Sequence, residues 1–153
     1  MDRASHAVLA ADLSERWADI VQVCDLIEAR RATLGATDEG VEAMGYQLHN
    51  LYGACEQLMA VVAACFENHV LSERYHTDLL RRMRVEIEGV RPALLSPETF
   101  GLLDELRRFR HLFRHAYGVR LDGARLADLA DKAARLRHAL DRDRQAFLRA
   151  LES

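Results

Sequence analysis

The sequence predicts an all-α protein, a bundle of four main helices plus one short helix. Three observations carry this. Every long segment repeats apolar residues at three- and four-residue spacing, the period of one helix face. No segment alternates apolar and polar residues as a half-buried strand does. Only two prolines, Pro92 and Pro97, interrupt the 153 residues. At that length a single domain spanning residues 1–153 is expected, and with half of the residues hydrophobic it can bury a real core.

The elements follow in order. Residues 5–34 carry Leu9, Leu13, Trp17, Ile20, Cys24, Ile27 and Leu34 on one stripe, with Asp12, Glu15, Asp19, Asp25 and Glu28 opposite. Gly35 can cap this helix, because glycine enters the left-handed region without a Cβ clash. Thr37 or Asp38 can start the second helix, which continues to about residue 69 on Met44, Leu48, Leu51, Cys55, Leu58, Val62 and Phe66. Over residues 58–66 apolar side chains spread around the helix, so that half is expected to be the most buried. Gly45 and Gly53 weaken the helix slightly and permit close helix contact. Residues 72–75 read as a polar connection. A short helix over 76–88 follows, with Leu79, Leu80, Met83 and Ile87 inward, ended by Gly89 and Pro92. Ser96, Pro97 and Glu98 are a start signal: an N-cap hydroxyl, a proline at the first helical position and an acid in the first turn. That fourth segment buries Phe100, Leu103, Leu106, Phe109 and Phe113 and ends at Gly118. Asp122-Gly123 opens the last helix, with Leu126, Leu129, Ala133, Leu136, Leu140, Phe147 and Leu151 inward. Short connections complete a bundle.

Composition removes several function classes. Cys24, Cys55 and Cys65 are odd in number and contain no C-x-x-C pair, so neither a zinc ribbon nor a disulfide framework is indicated. Buried, reduced thiols in a cytoplasmic protein are expected instead. Acids at Asp2, Asp12 and Glu15 argue against a signal peptide. The longest apolar run, residues 58–66, is too short to span a bilayer, so no membrane contact is expected.

Charge is distributed unevenly. Arg107, Arg108, Arg110, Arg114 and Arg120 crowd together with His111 and His115, and no Asp or Glu occurs between residues 106 and 121. In a chain of net charge -3 this is a local basic island, suited to anionic partners. Lys132 is the only lysine. Arginine-rich surfaces favour phosphate, because the guanidinium fork pairs with two oxygens at once.

The stretch Phe109-Arg110-His111-Leu112-Phe113-Arg114-His115-Ala116-Tyr117-Gly118 reads Arg, any four, His, any one, Tyr. Two further blocks accompany it in order: Leu48-His49-Asn50-Leu51-Tyr52-Gly53-Ala54-Cys55-Glu56 and Tyr75-His76-Thr77-Asp78-Leu79-Leu80-Arg81-Arg82-Met83. Together they resemble the HEPN superfamily, and within it the HepT-like ribonuclease toxins, over roughly residues 5–150. The resemblance implies a HEPN-type helical bundle. It also implies a toxin endoribonuclease of a type VII-like toxin–antitoxin module, acting without cofactor or metal. The RNA substrate would be cut with Arg110 stabilising the transition state and His115 as acid and base. Such chemistry is coherent: a neutral imidazole can take the 2′-hydroxyl proton, and a guanidinium can offset charge on the phosphorane. Tyr117 matches the tyrosine to which a nucleotidyltransferase (MntA-like) antitoxin transfers AMP in those toxins, and an anion there would repel RNA. The alternative is a catalytically inactive HEPN protein serving as the binding subunit of a nucleotidyltransferase. A plain helical interaction module is a third reading, against which the three ordered blocks count.

Geometry and neighbours define the remaining expectations. On an ideal helix Arg110 and His115 point ~140° apart. Either the helix loosens near its end, or a second copy completes the site; the resemblance implies the second, a two-fold homodimer with motif helices facing across a cleft. His111 and His115, at i and i+4, have metal-ligand spacing, but no carboxylate stands adjacent and no metal is expected. His111 more readily supports the site by hydrogen bonding. Arg114 shares a face with Arg110 and can position a phosphate; Arg107 and Arg108 can bind only peripherally. Glu56 is either a surface acid or an orienting partner of the motif arginine. Asn50, Tyr52 and His76 receive no role, and His6, His49, His69 and His138 are expected to be ordinary structural or surface histidines.

Overall fold

The structure, a computed structural model, describes residues 1–67, 75–115 and 120–153. Among the described residues five α-helices make the bundle. α1 (Arg3–Arg30) starts at Asp2, whose carboxylate accepts the amides of Ala4 and Ser5, both at 3.0 Å. It closes through a 3-10 turn (Arg31–Thr33) and Gly35, whose φ of 84° is the left-handed cap expected there. α2 (Asp38–Phe66) is capped by the Thr37 hydroxyl, which accepts Gly40 N at 3.0 Å. At Gly40 a Cβ would lie 2.4 Å from the Thr33 carbonyl oxygen, so the chain can turn this tightly only on glycine.

α2 is the central element, packed against α1, α3 (Tyr75–Met83), α4 (Pro97–His115) and α5 (Gly123–Glu152). Its stripe of Met44, Leu48, Leu51, Cys55, Leu58 and Val62 is buried as the spacing predicts, joined by Tyr52. Residues 58–66 are not the most buried half: Ala64 and Cys65 are exposed, while residues 44–56 also bury Gln47 and Glu56. Small apolar side chains report burial poorly from sequence, and the expectation of buried thiols holds for Cys24 and Cys55 but fails for Cys65.

α3 ends at Met83, five residues before the expected end. A buried ion cluster stops it. The Arg91 guanidinium, with no exposed side-chain surface, bonds Glu67 at the end of α2 and the carbonyls of Arg82, Val85 and Pro92. Arg82 pairs with the second Glu67 oxygen at 2.8 Å. Gly89, at φ 73°, turns the chain back so that Ile87 and Arg91 form a bridge. The Met83 carbonyl then accepts Leu94 N and Leu95 N, at 2.8 and 3.0 Å. Gly89 therefore acts inside this turn rather than ending a longer helix.

α4 begins as its start signal predicts, at Pro97. Buried Asp143 of α5 anchors that start from across the bundle, accepting Ser96 N and Ser96 Oγ, both at 2.8 Å. Leu103, Leu106 and Phe109 drive α4 into the core, and Phe113 stands half-buried a turn later. α5 opens on the Asp122 side chain, which accepts Ala124 N at 3.0 Å. Among the described residues there is no strand, and no helix is long and apolar enough to cross a membrane.

Candidate functional site

α2 and α4 run antiparallel and touch closely at the motif. Gly45 makes this possible: a Cβ there would stand 3.0 Å from Leu121 and 3.2 Å from Phe113. With Phe109 locked in the core, Arg110 emerges at the seam between the two helices. Its side chain is 17% exposed, and its Nη1 lies 3.5 Å from Glu56 Oε1. The guanidinium carbon sits 5.7 Å from the centroid of the Tyr52 ring. Burial first, then the Glu56 charge, pushes the Tyr52 phenol above its ordinary value, so it presents a neutral ring to the arginine. Of the two alternatives for Glu56, the pairing with Arg110 is the one present.

His49 completes this seam. It lies on α2 two turns before Glu56, on the same side, with its ring centroid 5.4 Å from that of Phe113. Its Nδ1 is buried and makes no hydrogen bond. Burial, with the positive charges of Arg110 and Arg114, lowers its pKa below the ordinary 6.5; the Asn50 side chain pulls the other way. From sequence alone His49 reads as an ordinary structural or surface histidine. A signal for it existed, because His49, Tyr52 and Glu56 stand at i, i+3 and i+7 on one helix face.

The other motif side chains face elsewhere. α4 remains helical through His115, so no loosening brings His115 around to Arg110 within the described residues. His111 and His115 are exposed, with ring centroids 4.5 Å apart. They share a solvent-facing stripe with Arg108 and Leu112, at i, i+3, i+4 and i+7, and Leu112 is 53% exposed. On the flank of that stripe, α4, residues 120–122 and the start of α5 form a cleft of about 230 Å³ lined by Arg108, Arg120 and Arg125, by Asp122, and by apolar side chains including Leu112 and Leu121. Arg114 is exposed and has no ion pair among the described residues. Among those residues no group of three or more His, Cys, Asp or Glu is placed to hold a metal. Tyr117 lies outside the described residues, as do His69 and the side chain of His76.

The basic island is less free than its sequence suggests. Asp104, one turn upstream on the same helix, binds both Arg107 (2.9 Å) and Arg108 (2.6 Å). Arg120 lies 3.2 Å from Asp38. The absence of acids between residues 106 and 121 therefore does not leave the island without acidic partners on its own helix: Asp104 precedes the acid-free stretch but reaches into it through the i, i+3 and i, i+4 geometry of the helix. Arg114, His111 and His115 stand exposed on this part of α4, while Arg110 is held at the seam by Glu56.

A protein-family model described as HepT-like protein matches residues 43–151. No curated protein and no solved structure matches the chain significantly.

Proposed function

The chain belongs to the HepT-like family, and on that premise we propose that it is a toxin endoribonuclease of a type VII-like toxin–antitoxin module. It would cut RNA without a metal ion by attack of the 2′-hydroxyl on the adjacent phosphate. Arg110 offsets charge on the phosphorane, and His115 acts as acid and base. The observation that carries this reading is the seat of Arg110: a guanidinium held between a buried carboxylate and a neutral phenol ring, at the rim of the core rather than in open solvent. A preorganised cation of this kind needs little rearrangement when charge develops beside it. Arg114 and His111 support phosphate binding. The divergence of Arg110 and His115 on a helix that stays regular favours a two-fold dimer, in which each copy's His115 meets the other's seam. Control falls to a nucleotidyltransferase antitoxin that transfers AMP to Tyr117, two residues after His115 in the sequence, adding a negative charge and a bulky nucleoside that repel RNA.

One experiment tests the assignment. Purified protein is given cellular RNA with and without EDTA, and alongside it Arg110→Ala, His115→Ala and Tyr117→Phe, each before and after co-expression with the neighbouring nucleotidyltransferase. Cleavage should survive EDTA, and each of the first two substitutions should lower it by about 10²-fold or more. AMP mass increments should appear on the wild type and vanish on Tyr117→Phe. Full activity in His115→Ala removes the nuclease role of the motif. A wild type that is inert but forms a stable complex with the nucleotidyltransferase indicates an inactive binding subunit.

A further inference from the structure

Resting on the ribonuclease reading above, we propose that His49 is a second catalytic imidazole of this site. It is the base that takes the proton from the attacking 2′-hydroxyl, which leaves His115 to return a proton to the departing 5′-oxygen.

Internal cleavage of RNA needs a proton removed at one end of the reacting phosphate and supplied at the other. One imidazole can serve both ends only by moving its proton between them. The geometry of α4 gives Arg110 and His115 different faces, so within one chain the imidazole that shares the seam with Arg110 is not the motif histidine. It is His49. Three observations place it there. Its ring lies against Phe113, with centroids 5.4 Å apart, and Phe113 stands between Arg110 and Arg114 on α4. It occupies the face of α2 that also presents Glu56, and Glu56 holds Arg110 at 3.5 Å. Its Nδ1 is buried with no hydrogen-bond partner, a state that costs stability unless something else is gained.

A base must be unprotonated at working pH. The charged groups acting on His49 are Arg110 and Arg114 from α4, both cations, and the adjacent Asn50 amide opposes them only in part. Burial is the larger cause, and with the two guanidiniums it shifts the ring toward the neutral form that can accept a proton. A phosphate entering the seam would lie against the same two guanidiniums, and so beside the ring. The step balances without another reactant. The 2′-hydroxyl proton goes to His49 as the 2′-oxygen bonds phosphorus. The bond from phosphorus to the 5′-oxygen breaks, and that oxygen takes its proton from His115. The products are a 2′,3′-cyclic phosphate and a 5′-hydroxyl.

The test separates base from acid by changing the leaving group. The substrates are randomised short oligonucleotides with one ribonucleotide, joined at the scissile position through the usual 5′-oxygen or through sulfur. A thiolate leaves without an acid. His115→Ala should therefore be slow on the oxygen link and recover on the sulfur link. His49→Gln should lose about 10²-fold or more in kcat on both links with KM little changed. His49→Phe, which keeps a ring on Phe113, should show the same loss, with thermal melts checking that both variants fold. The proposal is overturned if either His49 variant folds and stays within about threefold of wild type, a change too small for loss of a proton-transfer group. It is equally overturned if sulfur restores His49→Gln as it restores His115→Ala. A wild type that cleaves neither link removes the ribonuclease reading and this inference together, whereas a wild type that cleaves with His49→Gln intact removes the inference alone.

Discussion

Arg110 and His49 show how much one side chain's meaning depends on what packs against it. Arg110 is legible from its motif spacing; its partner Glu56 is legible only as one of two alternatives, because a sequence does not say which helices touch. His49 is illegible by type, since a lone histidine on an amphipathic helix is most often structural, yet the contact between α2 and α4 places it among the motif's cations. The buried, cation-flanked ring also has a stability signature. Its pKa is lowered in the folded state from 6.5, so the unfolded chain takes up a proton on this ring that the folded chain resists. Stability is therefore highest above pH 6.5 and is lost as pH falls through that value toward the lower folded one. Urea titrations of wild type and His49→Gln should diverge with pH: between about pH 8 and 5.5, a window spanning the ordinary histidine value, the wild type should lose more. An equal loss in both proteins would mean that the ring titrates as it does in water.

At the scale of elements, apolar periodicity located the five described helices, and Thr37 or Asp38, Ser96 and Asp122 marked three starts, because these signals are local. The end of α3 was not legible. It is set by Arg91 reaching back to Glu67, 24 residues earlier in the chain, and no helical period encodes that contact. The same holds for Asp143, which holds the start of α4 from the last helix. Arg91→Ala would leave Glu67 buried with Arg82 as its remaining cation and would strip three carbonyls of their donor. Breaking a pair buried this deeply costs about 3–5 kcal/mol. The expected outcome is a large drop in urea midpoint, with faster hydrogen exchange at the Leu94 and Leu95 amides that close the turn. A midpoint within error of wild type would show the cluster to be energetically idle.

For the whole molecule, the basic island reads from sequence as one surface, but the helix divides it between two. Arg107, Arg110 and Arg114 lie toward α2, while Arg108, His111, Leu112 and His115 lie toward solvent. An exposed leucine amid cations is a poor terminus for a monomer and a natural centre for a two-fold contact between motif helices. Leu112→Arg should convert a dimer into a monomer by light scattering at micromolar concentration and reduce cleavage with it. A wild type that is monomeric and fully active would contradict this arrangement. Charge counts along the chain are blind to angle; the stripe of Leu103, Leu106 and Phe109, expected from its spacing and buried in the structure, fixes the rotation of the helix that divides the island.

Asp104 carries a last consequence, for how tightly the protein grips a polyanion. By occupying Arg107 and Arg108 it removes two cations from the set that could displace condensed counterions from RNA. Each phosphate neutralised on a single strand contributes about -0.7 to the slope of log affinity against log salt. The native protein should therefore bind with a shallow slope, and Asp104→Asn should steepen it by about 0.7 for each arginine released onto the strand. A variant that binds more tightly at low salt but turns over more slowly would identify Asp104 as the residue that lets cleaved fragments leave.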